Sequence, residues 1–287
     1  MSGQDLVSDQ GLRIDGRRAN ELRQIRVRMG VFGQADGSAY LEQGNTKVLA
    51  AVYGPHQPRG SSRGGNKGAG GVVNCQYSMA VFSFSAGERK KKPRGDRKTQ
   101  ETSMQLRRAI EAIVQVDLYP RSQIDVFVEV LQSDGSDYCV AVNAATLALI
   151  DAGIPIKDYS VGCTAMSASI GASEEAEGKE GPGAALGIVD TNHMEECTGA
   201  TTLTIAALPG APSSNYETDT QNAGLVVVAQ GGGQRLHLSK LEGLRQRALQ
   251  GCRDTRVILD EAVRTHLATH YVWANQSESN AFKLAKI

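Results

Sequence analysis

Alternating apolar and polar residues predict a series of β-strands. The clearest strand is 124–131, where four aliphatic residues at every second position, from Ile124 to Val130, point to one face. Further strands are predicted at 39–41, 48–53, 72–84, 160–170, 186–190, 202–208 and 225–230. The glycines at 231–233 indicate a turn after the last of these strands, and therefore a hairpin.

Two segments in the middle of the chain have the helical period instead. The segment 102–116 places one apolar face at Leu106, Ile110, Ile113 and Val114. The segment 142–151 is apolar and rich in alanine, and Gly153 followed by Pro155 predicts its end. Both segments are therefore predicted to be helices, and the first leaves Arg107, Arg108 and Glu111 available to solvent.

A third helix is predicted to begin at Ser239, which forms a capping box with Glu242. Runs of strands are thus followed by two helices, more strands and a final helix, an order that indicates an α+β protein with a mixed sheet. One domain is predicted at 13–272, between an N-terminal tail at 1–12 and a flexible tail at 273–287. Two surface insertions rich in Gly, Ser and Pro are predicted at about 171–185 and 211–224.

The composition allows a core and restricts the ways in which the chain can bind nucleic acid. Of 287 residues, 40% are hydrophobic and 22% are charged, which excludes wholesale disorder. Thirty-one basic residues balance 31 acidic ones, so any RNA or DNA contact must come from local clusters of charge. No secretory signal and no apolar run long enough for a membrane span are present, so a soluble protein without a membrane partner is expected.

Cysteine and histidine give little sign of metal or disulfide chemistry. The five cysteines are scattered without a C-x-x-C motif, so neither a disulfide framework nor a structural zinc site is predicted, and a reduced intracellular compartment is expected. His266 and His270 have a spacing that could bind a metal ion, but no third ligand lies nearby. Cys197 has no partner pattern of a nucleophile and is predicted to be a small buried residue. No cofactor is predicted.

Basic residues are concentrated in two places. Seven lie between Arg89 and Lys98, immediately before the predicted helix at 102–116, where a helix N-terminus favours phosphate oxygens. A second, glycine-rich basic loop spans 59–67 and could track a single-stranded backbone. Ordinary solvated loops are the alternative explanation for both. The aromatics between the two clusters alternate at strand spacing and are predicted to be core residues rather than base-stacking surfaces: Tyr77, Phe82 and Phe84.

Several short segments, in their order along the chain, resemble the RNase PH family. They are RIDGRR at 13–18, MGVF at 29–32, ADGSA at 35–39, QGNTKV at 43–48, YGP at 53–55, VNCQYS at 73–78, GER at 87–89, GDRK at 95–98, LQSDG at 131–135, NAATLA at 143–148 and DAGIP at 151–155. Each is weak alone, but the ordered set is specific. The resemblance covers about 10–170 closely and 186–270 more loosely.

The resemblance implies a fold and an activity. The fold is the α+β, RNase PH-like (ribosomal protein S5 domain 2-like) fold, with mixed sheets and packed helices. Subunits of this kind form a ring around an RNA channel. In active members, inorganic phosphate attacks the 3′-terminal phosphodiester of RNA and releases nucleoside diphosphates.

At two positions, the resemblance implies that groups which bind phosphate or RNA are altered. Active relatives carry paired arginines before the long helix, whereas this chain has Arg97 and Lys98, and Lys keeps the charge without the bidentate geometry. The family's Gly-Thr-Arg turn reads Ser136, Asp137 and Tyr138 here. A phenol cannot replace a guanidinium at a phosphate, so the phosphate pocket is expected to be lost.

The carboxylates of active relatives are also expected to be absent. In those relatives a pair of Glu is followed by a catalytic Asp and, further on, by a second Asp. Here Glu195 and Glu196 are followed by Cys197, and Thr201 takes the expected second position. The two glutamates are predicted to be surface or structural residues.

The favoured hypothesis is a non-catalytic ring subunit of a eukaryotic RNA exosome, located in the nucleus and nucleolus and also in the cytoplasm. Its expected partners are RNase PH-like ring subunits, cap proteins, a hydrolytic exonuclease and single-stranded RNA. The candidate RNA-binding residues are Arg59, Arg63, Lys67, Arg94, Arg97 and Lys98. Two alternatives stay open: an active phosphate-dependent 3′-to-5′ exoribonuclease that uses Glu195 or Glu196, and a free-standing RNA-binding protein, against which the zero net charge argues.

Overall fold

The structure is a computed structural model that describes part of the chain. The described residues are 7–8, 12–57, 71–84, 89, 95–167, 187–210, 224–234 and 238–284, with the side chains of the last helix described as far as Thr269, except Ser239. The predicted insertions lie outside these residues, apart from Gly224.

The first sheet contains five strands. They are β1 Ile25–Met29, β2 Gly37–Gln43, β3 Thr46–His56, β4 Val72–Met79 and β5 Gln123–Gln132. Their order is β1-β2-β3-β5-β4, and all pairs are antiparallel except β4 with β5. The predicted mixed sheet is therefore confirmed, as is the inward face of β5 from Ile124 to Val130. Strand β1 is missing from the predicted set, although Ile25, Val27 and Met29 alternate with arginines.

The second sheet is antiparallel, and four α-helices and a short 3-10 helix at Val116–Leu118 complete the described structure. Its order is β7-β6-β8-β9, from β6 Val161–Ser167, β7 Gly187–Val189, β8 Thr202–Leu208 and β9 Leu225–Gly232. The helices are α1 Arg97–Ile113, α2 Asp137–Asp151, α3 His193–Glu196 and α4 Leu238–Leu284. No described helix combines the length and the apolar character needed to cross a membrane.

The layers explain why α2 is apolar all round. Every residue of α2 from Cys139 to Leu149 is buried, because the helix lies between the two sheets. Helix α4 packs on the other face of the second sheet. Glycines permit both contacts, since a Cβ at Gly162 of β6 would lie 2.7 Å from Cys139 Cα, and one at Gly251 of α4 would lie 2.5 Å from Cys163 Sγ.

The helix starts and the glycine turn differ from the predictions. Helices α1 and α2 begin five residues before the predicted starts. The added residues of α1 are polar and carry no apolar period, whereas those of α2 include Cys139, Val140 and Ala141, which continue its buried face. The predicted end of α2 is confirmed, and Gly153 there has a φ of +69°. The prediction of a hairpin turn at 231–233 is wrong. Gly231 and Gly232 belong to β9, where they pair with Leu203 and Thr202 of β8.

The C-terminal helix also differs from its prediction. It includes Leu238, so Ser239 lies within it, and the carboxylate of Glu242 accepts hydrogen bonds from Arg245 and Gln246 rather than capping the helix. The capping box predicted at Ser239 is therefore wrong. The backbone is helical to Leu284, through the segment for which a tail was predicted. The domain boundary itself stays a prediction.

Two glycine-to-alanine substitutions in α4 should have opposite effects. Gly251→Ala should lower the free energy of unfolding by about 1–3 kcal/mol, since its Cβ overlaps Cys163 and Val189. Gly243→Ala should raise it by up to about 1 kcal/mol, because the exposed Gly243 has open space around it and alanine favours the helix. Urea unfolding measures both values, and equal effects would contradict this packing of α4.

Candidate functional site: a cleft at three helix N-termini

A cleft of about 550 Å³ lies where α1, α2 and α3 begin, beside the ends of β8 and β9. Its charged and aromatic lining residues are Tyr77, Phe84, Asp96, Lys98, Glu101, Asp137, Tyr138, His193 and Glu196. The structure thus brings Lys98 together with Asp137 and Tyr138, as the resemblance implies, and adds the carboxylates of Asp96 and Glu101.

The turn before α2 is held close to the segment before α3. Ser136 has a φ of +55°, and its backbone N–H donates to Glu196 Oε1 at 2.8 Å while its hydroxyl donates to the Thr191 carbonyl at 3.0 Å. Gly135 is required here, because a Cβ would lie 2.6 Å from the carbonyl carbon of Asn192. The first turn of α2 and the α3 segment therefore form one wall of the cleft.

Asp137 is a carboxyl with an altered pKa. Its pKa is raised to about 6, mainly by burial and also by the nearby Glu196 charge, while a hydrogen bond from Ser133 and the charges of Arg23 and Lys98 oppose the rise. The Ser133 hydroxyl donates to Asp137 Oδ2 at 2.5 Å. The other carboxyl oxygen and the Tyr138 hydroxyl are buried and have no hydrogen-bond partner among the described residues. Two buried polar atoms without a described partner therefore lie in residues that line the cleft.

The two glutamates of α3 have different roles. Glu195 is fully buried, pairs with Arg13 and completes a capping box with Asn192. It is structural, as predicted. Glu196 reaches the cleft, so the prediction of a surface or structural role is incomplete for this residue. The Asn-x-x-Glu pattern at 192–195 is a capping-box signal that could have located α3 and hence the direction of Glu196.

Cys197 and Thr201 do not lie where the sequence placed them. Cys197 is exposed and has its Sγ 3.5 Å from His193 Nε2, so the prediction that it is buried is wrong. The Thr201 hydroxyl donates to the Gln234 carbonyl, whereas the next residue, Thr202, lines the cleft. The predicted and observed cleft residues differ because α3 directs Glu196, rather than Cys197, towards the cleft.

Of the predicted RNA-binding residues, two are described. Arg97 and Lys98 are exposed in the first turn of α1, whose N-cap Asp96 makes no side-chain capping bond. Lys98 lines the cleft. The other four lie outside the described residues: Arg59, Arg63, Lys67 and Arg94.

The prediction for the aromatic residues is correct for one residue of three. Tyr77 is buried, but Phe82 is 72% exposed and Phe84 is 37% exposed. The reason is that β4 ends at Met79, so the alternation of the following residues no longer reflects a sheet face.

No metal site is formed by the described side chains. Among them, no three His, Cys, Asp or Glu residues are grouped as ligands. His266 has its Nε2 atom 3.4 Å from Asp151, and the side chain of His270 lies outside the described residues.

Two sheets enclose α2, and a polar cleft lies at the helix N-termini. This architecture is that of the RNase PH-like folds. The family model described as "3′ exoribonuclease family, domain 1" matches residues 21–155. The human protein named exosome complex component RRP41 is 48% identical over 267 residues, which cover 93% of this chain and 96% of that protein. The chain belongs to the RNase PH family.

Solved structures support the fold. A crystal structure of rice (Oryza sativa) Rrp46 matches with a TM-score of 0.65 and 24% identity, over 89% of this chain and all of that one. A chain of the Archaeoglobus fulgidus exosome, solved with RNA bound to the active site, matches with a TM-score of 0.61 and 23% identity, over 86% and 92% of the two chains. The predicted fold class is therefore confirmed.

Asp137→Asn should change how stability depends on pH. Because the folded pKa of about 6 lies above the ordinary value of 3.8, the folded state holds this proton more tightly than the unfolded chain. The protonated carboxyl therefore stabilises the fold fully below pH 4, and that contribution is lost as the pH rises through 6. At 1.36 kcal/mol per pKa unit, the loss is about 3 kcal/mol.

Urea unfolding between pH 4 and pH 7.5 measures this effect. The stability of the Asp137→Asn variant relative to the wild type should rise by up to about 3 kcal/mol across the range. Asp117→Asn, at an exposed position, serves as the control for removing any carboxyl. A difference that stays constant with pH would contradict the assignment.

Proposed function

We propose that the chain is a non-catalytic ring subunit of a eukaryotic RNA exosome, where it scaffolds the ring and lines part of the RNA channel. The human relative is named an exosome component and aligns over nearly the whole length of both chains. A ring subunit needs interfaces and an RNA path, but it does not need a working phosphorolytic site.

The charge of the cleft is the observation that carries the non-catalytic assignment. Among the described lining residues, Lys98 is the only side chain with a permanent positive charge, against the carboxyls of Asp96, Glu101, Asp137 and Glu196. Orthophosphate near neutral pH would have to approach these acids without a guanidinium to hold it. Since charged hydrogen bonds to such an anion are strong, their absence weakens phosphate binding severely.

A second candidate, an active phosphate-dependent 3′-to-5′ exoribonuclease, is favoured by one observation. Asp137 and Glu196 place two carboxyls in the cleft, and a carboxyl with a pKa of about 6 suits a general acid near neutral pH. The required carboxylates are therefore less completely absent than the sequence indicated. The missing phosphate contact still argues against this candidate.

A phosphorolysis assay separates the two candidates. The chain is assembled with its ring partners and supplied with single-stranded RNA, Mg²⁺ and phosphate, and nucleoside diphosphates are measured by chromatography. We expect none above the level seen without phosphate, whereas an active archaeal ring should release them. Phosphate-dependent release that is abolished by Asp137→Asn would instead establish the second candidate.

The expected partners follow from the ring proposal. They are RNase PH-like ring subunits, cap proteins and a hydrolytic exonuclease, in the nucleus, nucleolus and cytoplasm. Native mass spectrometry tests the assembly directly. A stable monomer that does not bind related subunits would contradict the scaffold role.

Charge reversal at the start of α1 should weaken RNA binding by the assembled ring. Arg97→Glu with Lys98→Glu removes two exposed cations and adds two anions beside the cleft, so protection of single-stranded RNA from nuclease should fall at least about tenfold. Arg107→Glu with Arg108→Glu makes the same change on the exposed side of the same helix and is the matched control. Equal protection of RNA by both variants would contradict the proposal that Arg97 and Lys98 contact RNA.

A further inference from the structure

The turn that follows β4 presents two phenylalanine rings to solvent. Phe82 and Phe84 are 72% and 37% exposed, whereas the Ser83 side chain between them is 1% exposed. Aromatic rings are among the most costly side chains to leave in water, and an exposed apolar cluster beside a cleft commonly marks a binding surface.

The backbone of this turn is fixed from both sides. Ser83 N–H donates to the Ala80 carbonyl at 3.1 Å, and Ser133 N–H donates to the Ser83 carbonyl at 2.9 Å. Phe84 also forms a parallel bridge with Ser133, which precedes the Asp137 end of α2. The rings are therefore held on an anchored backbone, which lowers the entropy lost when a ligand binds to them.

The neighbouring charges indicate the chemistry of the ligand. Phe84 and Lys98 line the same cleft, and exposed Arg97 precedes Lys98 in the first turn of α1. A flat apolar ring that shares a cleft with a cation suits a polymer that alternates flat bases with single negative charges. Four carboxyls also line the cleft, those of Asp96, Glu101, Asp137 and Glu196, so among the described residues the favourable contacts for the backbone phosphates are limited to Arg97 and Lys98 at the start of α1.

We propose that Phe82 and Phe84 form a stacking surface for the bases of single-stranded RNA. This inference deepens the proposed function, on whose RNA path it rests, and identifies a contact with bases in addition to the contact with phosphates. Stacking on aromatic side chains tolerates any base, because every base has a flat face. The surface would therefore hold RNA without reading its sequence.

The test compares RNA with and without bases. Fluorescence anisotropy measures binding of a labelled oligoadenylate and of an abasic oligonucleotide of equal length, to the free chain and to the assembled ring. Phe82→Leu and Phe84→Leu should each weaken oligoadenylate binding about fivefold or more, and abasic binding less than about twofold. The dependence on salt should not change, whereas loss of Arg97 and Lys98 should reduce it.

Phe127→Leu is the matched control. Phe127 is 38% exposed, close to the exposure of Phe84, but it lies on β5 against Tyr53, with the ring centroids 5.9 Å apart, and does not line the cleft. Circular dichroism of every variant checks that the fold is retained. An equal loss for both oligonucleotides, or no loss for either, would overturn the stacking surface.

The remaining outcomes separate this inference from the proposed function. If the leucine variants fail to assemble into the ring while the free chain binds RNA as before, the rings cover a protein partner and the stacking proposal is overturned. If the wild-type chain never assembles with ring subunits but shows the base-dependent loss, the ring proposal fails and the stacking surface stands.

Discussion

A buried pair of charges joins the two sheets at the point where the cleft forms. Asp190 follows β7 of the second sheet, and its carboxylate accepts a hydrogen bond from Arg23 Nη2 at 2.7 Å, from the segment before β1 of the first sheet. Burial raises the pKa of Asp190, but the charge and hydrogen bonds of Arg23 outweigh it, so the pKa lies below its ordinary value. Because removing one partner of such a pair costs about 3–5 kcal/mol, the contact between the sheets is strongly specified here.

The same arginine also explains why the cleft stays acidic. Its guanidinium donates to the carbonyls of Asp134 and Gly135 and to the Thr46 hydroxyl as well as to Asp190. Its charge and its N–H groups are thus used to hold the turn before α2. The charge of Arg23 lowers the pKa of Asp137, yet burial and Glu196 still raise it to about 6. A positive charge beneath a cleft therefore does not make the cleft a site for anions when a buried carboxylate already neutralises it.

The sequence predicts the elements with a regular period and fails where a side chain's direction depends on distant contacts. The inward face of β5 can be predicted from the sequence because it follows from a local period, and the end of α2 because it follows from a glycine. The exposure of Phe82 cannot be predicted in this way, because it depends on where β4 ends. The position of Glu196 in the cleft cannot be predicted either, because it depends on how Arg13 and Asn192 hold α3. The resemblance located the altered turn with Asp137 and Tyr138 but could not show that Glu196 lies in the same cleft.

The distribution of charge around the cleft makes the proposed RNA binding compatible with a protein of zero net charge. Free phosphate has to enter the cleft, where it would meet Asp137 and Glu196 in a region of reduced water. A passing phosphodiester carries one charge and can remain at the rim, where Arg97 and Lys98 are exposed beside Asp96 and Glu101 and the N-terminus of α1 adds partial positive charge. Since the contribution of solvated charges falls off within about 8–10 Å at physiological salt, these rim cations act locally and do not depend on the charge of the whole protein. The proposed RNA surface is therefore compatible with a cleft that disfavours the phosphate needed for phosphorolysis.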